Sequence, residues 1–527
     1  MHRTLRVGLA GSYQNVVEER TRDRDEDNRL QAEYDAKSDS SGKSPRLGQC
    51  RGGGEIRLHG SFPLSLGTAT VAFNRWFPPE YFSSRGWGRS HRMNTLTTQW
   101  NRLSAERRAA VLSVARTLRA AGYRAWLVGG AVRDLCLGED VGDLDMVSAA
   151  LPDEVVRLFP GAREVGRSFG IVQVLGAGQW IELATFRLER GYSDGRHPDE
   201  VRYTDSLVKD AGRRDFTCNA MYWDPLECEL ADPKGGMGDL ERRELACVGD
   251  ARGRFDEDGL RLLRMARFLA RLGLKPAPGL FEAAAASKSS LRGVSGERIL
   301  HELRRMAEGP RPQVALEALA CSQILGLAVS VGENEVLDQE ALRLKVCKAV
   351  LDGSHAETGK EGSELGVVLS ILLDPDPGAC LEAKLIKQTA KKAFKRLRAS
   401  TDLAQQVTDL WRLRSYFRVA PEESSTTIRA LREPQGLPAL DLAQAWNTSL
   451  LAESPELEAL KDWFLALPEA RIRPDFLPSG QQLMEGGIVA GPGLGQLLQS
   501  VEDAALMGLV DDAAAALNWA LSQDLKG

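Results

Sequence analysis

Histidine is scarce in this 527-residue chain: there are six, and none is followed by aspartate. The eight cysteines (positions 50, 136, 218, 228, 247, 321, 347 and 380) form no C-x-x-C pair. That argues against a zinc site or a disulfide framework and fits a reducing cytoplasm. No apolar run approaches the ~20 residues that span a bilayer. The N-terminus lacks the apolar core of a secretory signal. There is no excess of positive charge either. A net charge of −5 excludes a wholly basic nucleic-acid binder, while still allowing local basic faces. What is present, 43% hydrophobic and 27% charged residues, is ordinary for a globular chain of about two to four domains.

Residues 1–92 are rich in Arg, Gly, Ser and Asp. The polar tract from Glu18 to Gly54 has no sustained periodicity and reads as disordered. Frequent acids between Glu18 and Asp39 argue against a transit peptide. Met93 lies just before the first sustained helical pattern, Ser104 to Ala121. Residues 1–92 are therefore expected to be a disordered or non-native extension, with the natural start at Met93.

The chain is organised around Leu127 to Val147, LVGGAVRDLCLGEDVGDLDMV. Ala125 to Val128 reads as a strand that ends in Gly129-Gly130, and a helix is expected from Ala131. A second short strand is expected to carry Asp143 and Asp145 on one face, because side chains at i and i+2 of a strand share a face. A glycine turn at a helix N-terminus suits a polyphosphate, through free amides and the helix dipole. Two adjacent carboxylates suit Mg²⁺, which is held by one or two carboxylates plus phosphate oxygens. Together they point to phosphoryl or nucleotidyl transfer. An isolated D-x-D more often marks a turn; its place after the glycine turn is what gives it weight.

Further candidates follow in order. Ile171 to Leu175, the turn Gly176 to Gly178, and Trp180 to Phe186 read as a β-hairpin carrying Glu182, either a third carboxylate or a structural acceptor. Phe186 to Tyr203 reads as an irregular polar loop and Asp232 to Leu240 as a hinge. Arg133, in the first turn of its helix, has the fork geometry for a phosphate. Arg213, Arg214, Asp215 and Asn219 are densely polar among apolar neighbours and suit a triphosphate or ribose. Asp258, Arg261, Arg264 and Arg267 recur every three residues on an expected helix, Asp258 to Leu272. An Asp–Arg pair accepts from an amino group and donates to a ring nitrogen, which selects adenine and cytosine over guanine and uracil. From about Glu241 onward the pattern is helical, with helices expected at 297–307, 312–320, 339–351, 365–373, 381–398, 402–417, 437–452, 455–467 and 504–523.

These residues resemble the class II nucleotidyltransferases, which comprise bacterial tRNA CCA-adding enzymes and poly(A) polymerases. The matches fall in family order across residues 125–307. Leu127 to Asp145 matches G-G-x-x-R-D…D-x-D, Arg213 to Ala220 matches R-R-D-F-T-x-N-A, and Asp232 to Leu240 matches the hinge motif. Glu257 to Arg261 matches E-D-x-x-R, and Ser295 to Met306 matches the closing helix. The resemblance implies an α/β nucleotidyltransferase head, a mixed sheet with helices, followed by an all-α neck, body and tail. The expected division is 93–235 catalytic, 236–310 neck, and 311–527 body and tail that bind RNA.

It also implies roles. Asp143 and Asp145 would bind the catalytic Mg²⁺; Glu182 is a catalytic candidate from its place on the later strand, not from the resemblance. Gly130, Arg133 and Arg214 would hold the triphosphate and sugar, whereas Gly129, Asp215 and Asn219 are nucleotide-binding candidates on the reading of the residues alone. Asp258 and Arg261 would read the base, with Arg264 and Arg267 on the same face. The implied activity is CCA addition to tRNA from CTP and ATP. The alternatives are a poly(A) polymerase, a CC-only or A-only enzyme, or a non-catalytic RNA-binding protein. Some relatives carry an HD phosphohydrolase module; Leu365 to Pro377 looks like its place with the ligands absent, so no phosphatase activity is expected. Residues 384–396 form a basic cluster that reads either as a phosphate track or as a solvated face.

Overall fold

The computed structural model describes residues 89–524 except 167–169, 191–199, 330–339, 355–362, 375–381, 419–421 and 451–453. The expected disorder of residues 1–92 lies almost wholly outside the described residues. Two compact units result, one ending at Val294 and the other beginning at Ser295. No described helix is long and apolar enough to cross a membrane.

The first unit opens with α1 (Arg89–Arg102), a helix the sequence pattern did not suggest and within which Met93 falls, and α2 (Ala105–Ala120). The α2 start is set by Ser104, whose hydroxyl accepts from the Arg107 amide. A seven-stranded mixed sheet follows in the order β3-β4-β5-β2-β1-β8-β9. Its strands are β1 (Ala125–Val128), β2 (Met146–Ser148), β3 (Arg163–Gly166), β4 (Ile171–Gly176), β5 (Gln179–Thr185), β8 (Tyr222–Asp224) and β9 (Glu229–Ala231). Strand β1 is buried throughout, as a central strand with a continuous apolar run must be. It pairs antiparallel with β2 and β8, while β2 runs parallel to β5. Helices α3 (Gly130–Leu137) and α4 (Pro152–Leu158) follow β1 and β2.

The β4–β5 hairpin forms where the glycine turn placed it. The loop expected from Phe186 to Tyr203 is irregular only in part. Its flanks form a two-stranded ribbon, β6 (Arg187–Arg190) with β7 (Glu200–Tyr203), while residues 191–199 lie outside the description. Charged residues on both strands obscured the alternation that would have marked it.

Helices α5 (Leu207–Gly212), α6 (Gly236–Glu241), α7 (Ala251–Glu257), α8 (Leu260–Leu272) and α9 (Leu280–Ala286) complete this unit. The segment expected to be a hinge forms a turn that leads into α6. Asp232 accepts from the Gly236 and Met237 amides at 2.8 and 2.9 Å, and a Cβ on Gly236 would overlap the Thr217 carbonyl. A two-residue parallel pair, β10 (Glu244–Leu245) with β11 (Lys275–Pro276), interrupts the otherwise helical neck segment.

The described elements of the second unit are all helices. They comprise α10 (Gly296–Ala307), α11 (Pro312–Cys321), α12 (Leu325–Val329), α13 (Glu340–Ser354), α14 (Ser363–Leu372), α15 (Ala383–Leu397) and α16 (Thr401–Phe417). Then come α17 (Ser425–Leu431), α18 (Gly436–Leu450), α19 (Pro455–Leu465), α20 (Glu469–Ile472), α21 (Gly480–Glu485), α22 (Pro492–Leu506) and α23 (Ala513–Asp524). The single helix expected over 504–523 is two helices. Gly508 turns the chain in the left-handed region, which glycine tolerates. Where an HD helix would sit, Asp374 pairs with Arg414 at 2.6 Å, both side chains fully buried. Arg343 donates to the Asp374 carbonyl at 2.8 Å, and Trp411 donates to the Ser370 carbonyl at 2.7 Å. The segment thus carries a structural polar network.

Candidate active site

The turn after β1 depends on Gly129, whose φ of 68° lies where glycine is favoured. It opens α3 with unsatisfied amides, as every helix N-terminus does. The Arg214 guanidinium lies against this turn, with Nη1 3.6 Å from the place a Cβ on Gly129 would occupy. Arg214 is itself held from behind. Its Nε and Nη2 donate to Asp210 at 3.3 and 3.1 Å, and Nε also donates to the Tyr222 hydroxyl at 3.0 Å. The Tyr222 hydroxyl donates to the same carboxylate at 2.8 Å. Nη1 makes no hydrogen bond among the described residues, so one edge of a fixed cation faces the glycine turn.

Asp210 is a site residue that the sequence reading missed. It is fully buried on α5 and also takes Arg213 Nε at 2.8 Å. Burial would raise its carboxyl, but Arg214 and Arg213 hold it down at about 2. Its positions three and four residues before the two arginines are the signal that could have found it, since residues at that spacing share a helix face.

Asp143 and Asp145 are not on a strand. Strand β2 begins at Met146, and both aspartates lie in the irregular segment before it. The Asp145 carbonyl accepts from the Val128 amide at 3.1 Å, which fixes that segment beside the end of β1. Arg107 on α2 holds the Val141 carbonyl at 2.8 Å and also the Gly142 carbonyl, anchoring the approach to Asp143. The β2–β5 register pairs Met146 with Leu183, so Asp145 and Glu182 each precede a paired residue on parallel neighbours. Both aspartates and Glu182 are solvent-accessible, and Glu182 accepts from Gln173 at 3.3 Å.

The Asp145 carboxyl is pushed up to about 6, first by shielding from water and then by the Glu182 and Asp143 carboxylates; Arg214 opposes the shift. Among the described residues no group of three or more His, Cys, Asp or Glu side chains is placed to hold a metal ion, so an ion here would rest on at most two of these carboxylates. An uncompensated group of carboxylates beside an open arginine is what a divalent cation shared with phosphate oxygens requires. The donor set therefore fits such an ion.

Arg133 is placed differently from expectation. It is buried, pairs with Asp134 at 2.7 Å and donates to Asn219 Oδ1 at 2.6 Å. Its fork is occupied within the protein. Asn219 in turn donates to Asp215 at 3.1 Å, and Asp215 accepts from Arg264 at 2.8 and 2.5 Å. Burial would raise the Asp215 carboxyl, yet Arg264, Asn219 and the Phe216 amide hold it at about 2. Arg271 closes the other end on Asp134 at 3.1 Å. The result is a relay, Arg271–Asp134–Arg133–Asn219–Asp215–Arg264, that joins α3, the 213–220 segment and α8. The guanidiniums of Arg133, Arg264 and Arg267 all lie over the Phe268 ring, at 5.2, 5.3 and 4.3 Å.

Asp258 is not on the helix with the arginines. It lies between α7 and α8, accepting from the Leu260 amide at 3.0 Å, and the Arg261 amide donates to its carbonyl at 3.0 Å. Arg261 is buried and pairs with Glu257 at 2.6 Å. It also donates to the Arg254 and Arg213 carbonyls at 3.0 and 3.2 Å. Its orientation is thus fixed against the backbone at Arg213, two residues before Asp215 of the relay. Arg267 is buried, whereas Arg264 keeps about a third of its side chain exposed.

Fold and site together are those of a nucleotidyltransferase. A family model described as the Poly A polymerase head domain matches residues 125–246. The CCA-adding enzyme of Geobacillus sp. (strain WCH70) is 31% identical over 418 residues, covering 79% of this chain and 96% of that protein. That of Lactobacillus johnsonii is 30% identical over 413 residues, covering 78% and 96%. The chain belongs to the CCA-adding enzyme family. Among solved structures, the Bacillus stearothermophilus CCA-adding enzyme in complex with CTP is similar at 25% identity and TM-score 0.57, over 80% of this chain and 99% of that one. The Thermotoga maritima CCA-adding enzyme complexed with tRNA shares the fold at 18% identity and TM-score 0.61, over 81% and 98%.

Proposed function

We propose that the protein adds CCA to tRNA 3′ ends from CTP and ATP, without a nucleic-acid template. The observation that carries this reading is the meeting of three parts: the Gly129-Gly130 turn, the open edge of Arg214, and the Asp143, Asp145 and Glu182 carboxylates. Family membership supplies the substrates. The tRNA 3′ oxygen forms a bond to the α-phosphorus, the bond from that phosphorus to the bridging oxygen breaks, and pyrophosphate leaves.

Asp143 and Asp145 would hold Mg²⁺, which when bound supplies Lewis-acid stabilisation of phosphate charge. The Gly129-Gly130 amides and Arg214 Nη1 bind the triphosphate, while Asp210 and Tyr222 keep that guanidinium aimed. Glu182 sits beside Asp145 and adds to the negative field that favours a cation. Asp258 reads the base edge, with Arg261 fixed beside it by Glu257 and the Arg254 and Arg213 carbonyls, and the relay from Arg133 through Asn219 and Asp215 to Arg264 holds α8 in register with the turn. Residues 93–235 form the catalytic part, 236–310 the neck, and 311–527 the RNA-binding body and tail. The scattered cysteines, six of which are free thiols among the described residues, support a cytoplasmic setting.

Base choice by side chains alone makes a direct test. With tRNA lacking its CCA end and each nucleoside triphosphate supplied singly, CTP is expected to extend the RNA and GTP or UTP to fail. Replacing Asp258 by alanine is expected to lower the CTP-over-UTP preference by about tenfold or more, since one good bidentate pair discriminates by about 1–3 kcal/mol. Undiminished selectivity in that variant would remove Asp258 from base reading.

A further inference from the structure

Helix α15 carries six basic residues and no acidic one, AKLIKQTAKKAFKRL, in a chain whose net charge is −5. Its apolar face, with Ile386, Phe394 and Leu397, is buried. The cations divide into two groups. Arg396 donates to the Leu327 carbonyl at 3.4 Å, and Lys392 is also engaged within the protein. Lys384, Lys387, Lys391 and Lys395 are exposed and have no ion-pair or hydrogen-bond partner among the described residues. Spacings of three, four and four place these four ammonium groups on one stripe, and eleven residues at 1.5 Å each make it ~16 Å long.

Such a stripe costs the fold something. Like charges four apart, Lys387 with Lys391 and Lys391 with Lys395, destabilise a helix by a few tenths of a kcal/mol each. Lys384 stands in the first turn, where the helix dipole disfavours a cation. A face shaped only for solubility would mix both signs. The acid next in sequence, Glu382, precedes the helix as its N-cap. Nothing among the described residues balances the row.

We propose that the Lys384–Lys387–Lys391–Lys395 stripe is a track for the phosphate backbone of the RNA substrate, read by charge and without base contacts. This rests on the tRNA-directed activity proposed above. The chemistry fits a polyanion. Ammonium groups act as point charges on phosphates, and an unbranched row of them along one helix follows a backbone and leaves sequence unread.

The test compares wild type with Lys384→Gln/Lys387→Gln/Lys391→Gln/Lys395→Gln and with the matching four-Arg variant. Affinity for a tRNA transcript lacking its CCA end is measured across a salt series. The dependence of log affinity on log salt is expected to become shallower by about three in the Gln variant, and affinity at moderate salt to fall by about tenfold or more; the Arg variant keeps both. If circular dichroism shows the fourfold Gln variant to be unfolded, Lys387→Gln/Lys391→Gln carries the test, with a slope shallower by about two. An unchanged slope and affinity in a folded Gln variant overturns the proposal. So does a loss of binding to vesicles of anionic lipid with RNA binding intact, which would assign the stripe to a membrane surface. Nucleotide addition by the wild type, run alongside, separates the two readings: no addition refutes the function, whereas addition with an unchanged slope refutes only the track.

Discussion

Replacing Asp145 by asparagine is expected to lower kcat for nucleotide addition by about a thousandfold or more. Asp145 stands at the end of β1, beside Asp143 and Glu182 and within the field of Arg214. The asparagine keeps the size of the side chain and its backbone bond to Val128. What it removes is one of two anionic ligands for a divalent cation, and with that ligand the hold on the ion that would offset charge on the transferring phosphate.

The same substitution is expected to leave the thermal midpoint of chelator-treated protein unchanged or raised. It takes away one of three neighbouring like charges, and like charges at close range are unfavourable. Affinity for tRNA should survive. Loss of turnover without loss of fold marks a functional carboxylate; comparable turnover in the variant would place the chemistry elsewhere. A fall in midpoint together with activity would instead assign Asp145 a structural role.

The second large effect concerns a residue outside the reacting atoms. Asp210→Asn is expected to lower kcat/KM for CTP and ATP together, by about a hundredfold, and to destabilise the first unit by about 3–5 kcal/mol. Asp210 is buried and shared by Arg213, Arg214 and Tyr222. With a neutral amide there, two guanidiniums lose their common counter-charge, and Arg214 loses the support that turns Nη1 toward the glycine turn.

A merely structural role would weaken every ligand alike once unfolded protein is discounted. A positioning role predicts that the advantage of CTP over cytidine collapses while cytidine binding is retained. Equilibrium binding of the two ligands at a temperature where the variant is folded distinguishes them. An unchanged CTP-over-cytidine ratio contradicts the assignment.

Local signals were legible in the sequence where one short stretch decides the structure. The four-residue apolar run of β1, the paired glycines and the β4–β5 hairpin appear where the pattern put them. Each is governed by φ preference or period rather than by distant partners. The helical remainder follows for the same reason, whereas the mixed-sheet head was implied by the family resemblance and not by periodicity.

What was not legible depends on partners far apart in the chain. Arg133 looked available because its acceptor, Asn219, comes 86 residues later. Asp258 was assigned to a helix because its spacing from Arg261 is helical, yet its own backbone is extended, with φ of −142° and ψ of 105°, and separates α7 from α8. Asp143 and Asp145 looked like strand residues because alternation alone cannot tell a strand from an extended approach to one. Gly508 was passed over as a helix interruption although it is the residue type that ends helices.

The measurement that tests the central claim most directly is single-nucleotide extension with purified protein, Mg²⁺ and three tRNA transcripts, ending before CCA, after C and after CC. Each is given CTP alone, ATP alone, or both. The account predicts growth to CCA and then arrest, with CTP alone stopping at CC and ATP alone extending only the CC-ended transcript. An unbounded A ladder, arrest at CC with ATP present, or A added only to the CC-ended transcript when both nucleotides are supplied would contradict it. The ladder would point to a poly(A) polymerase and the two arrests to a specialist; no extension of any transcript would contradict the catalytic assignment altogether.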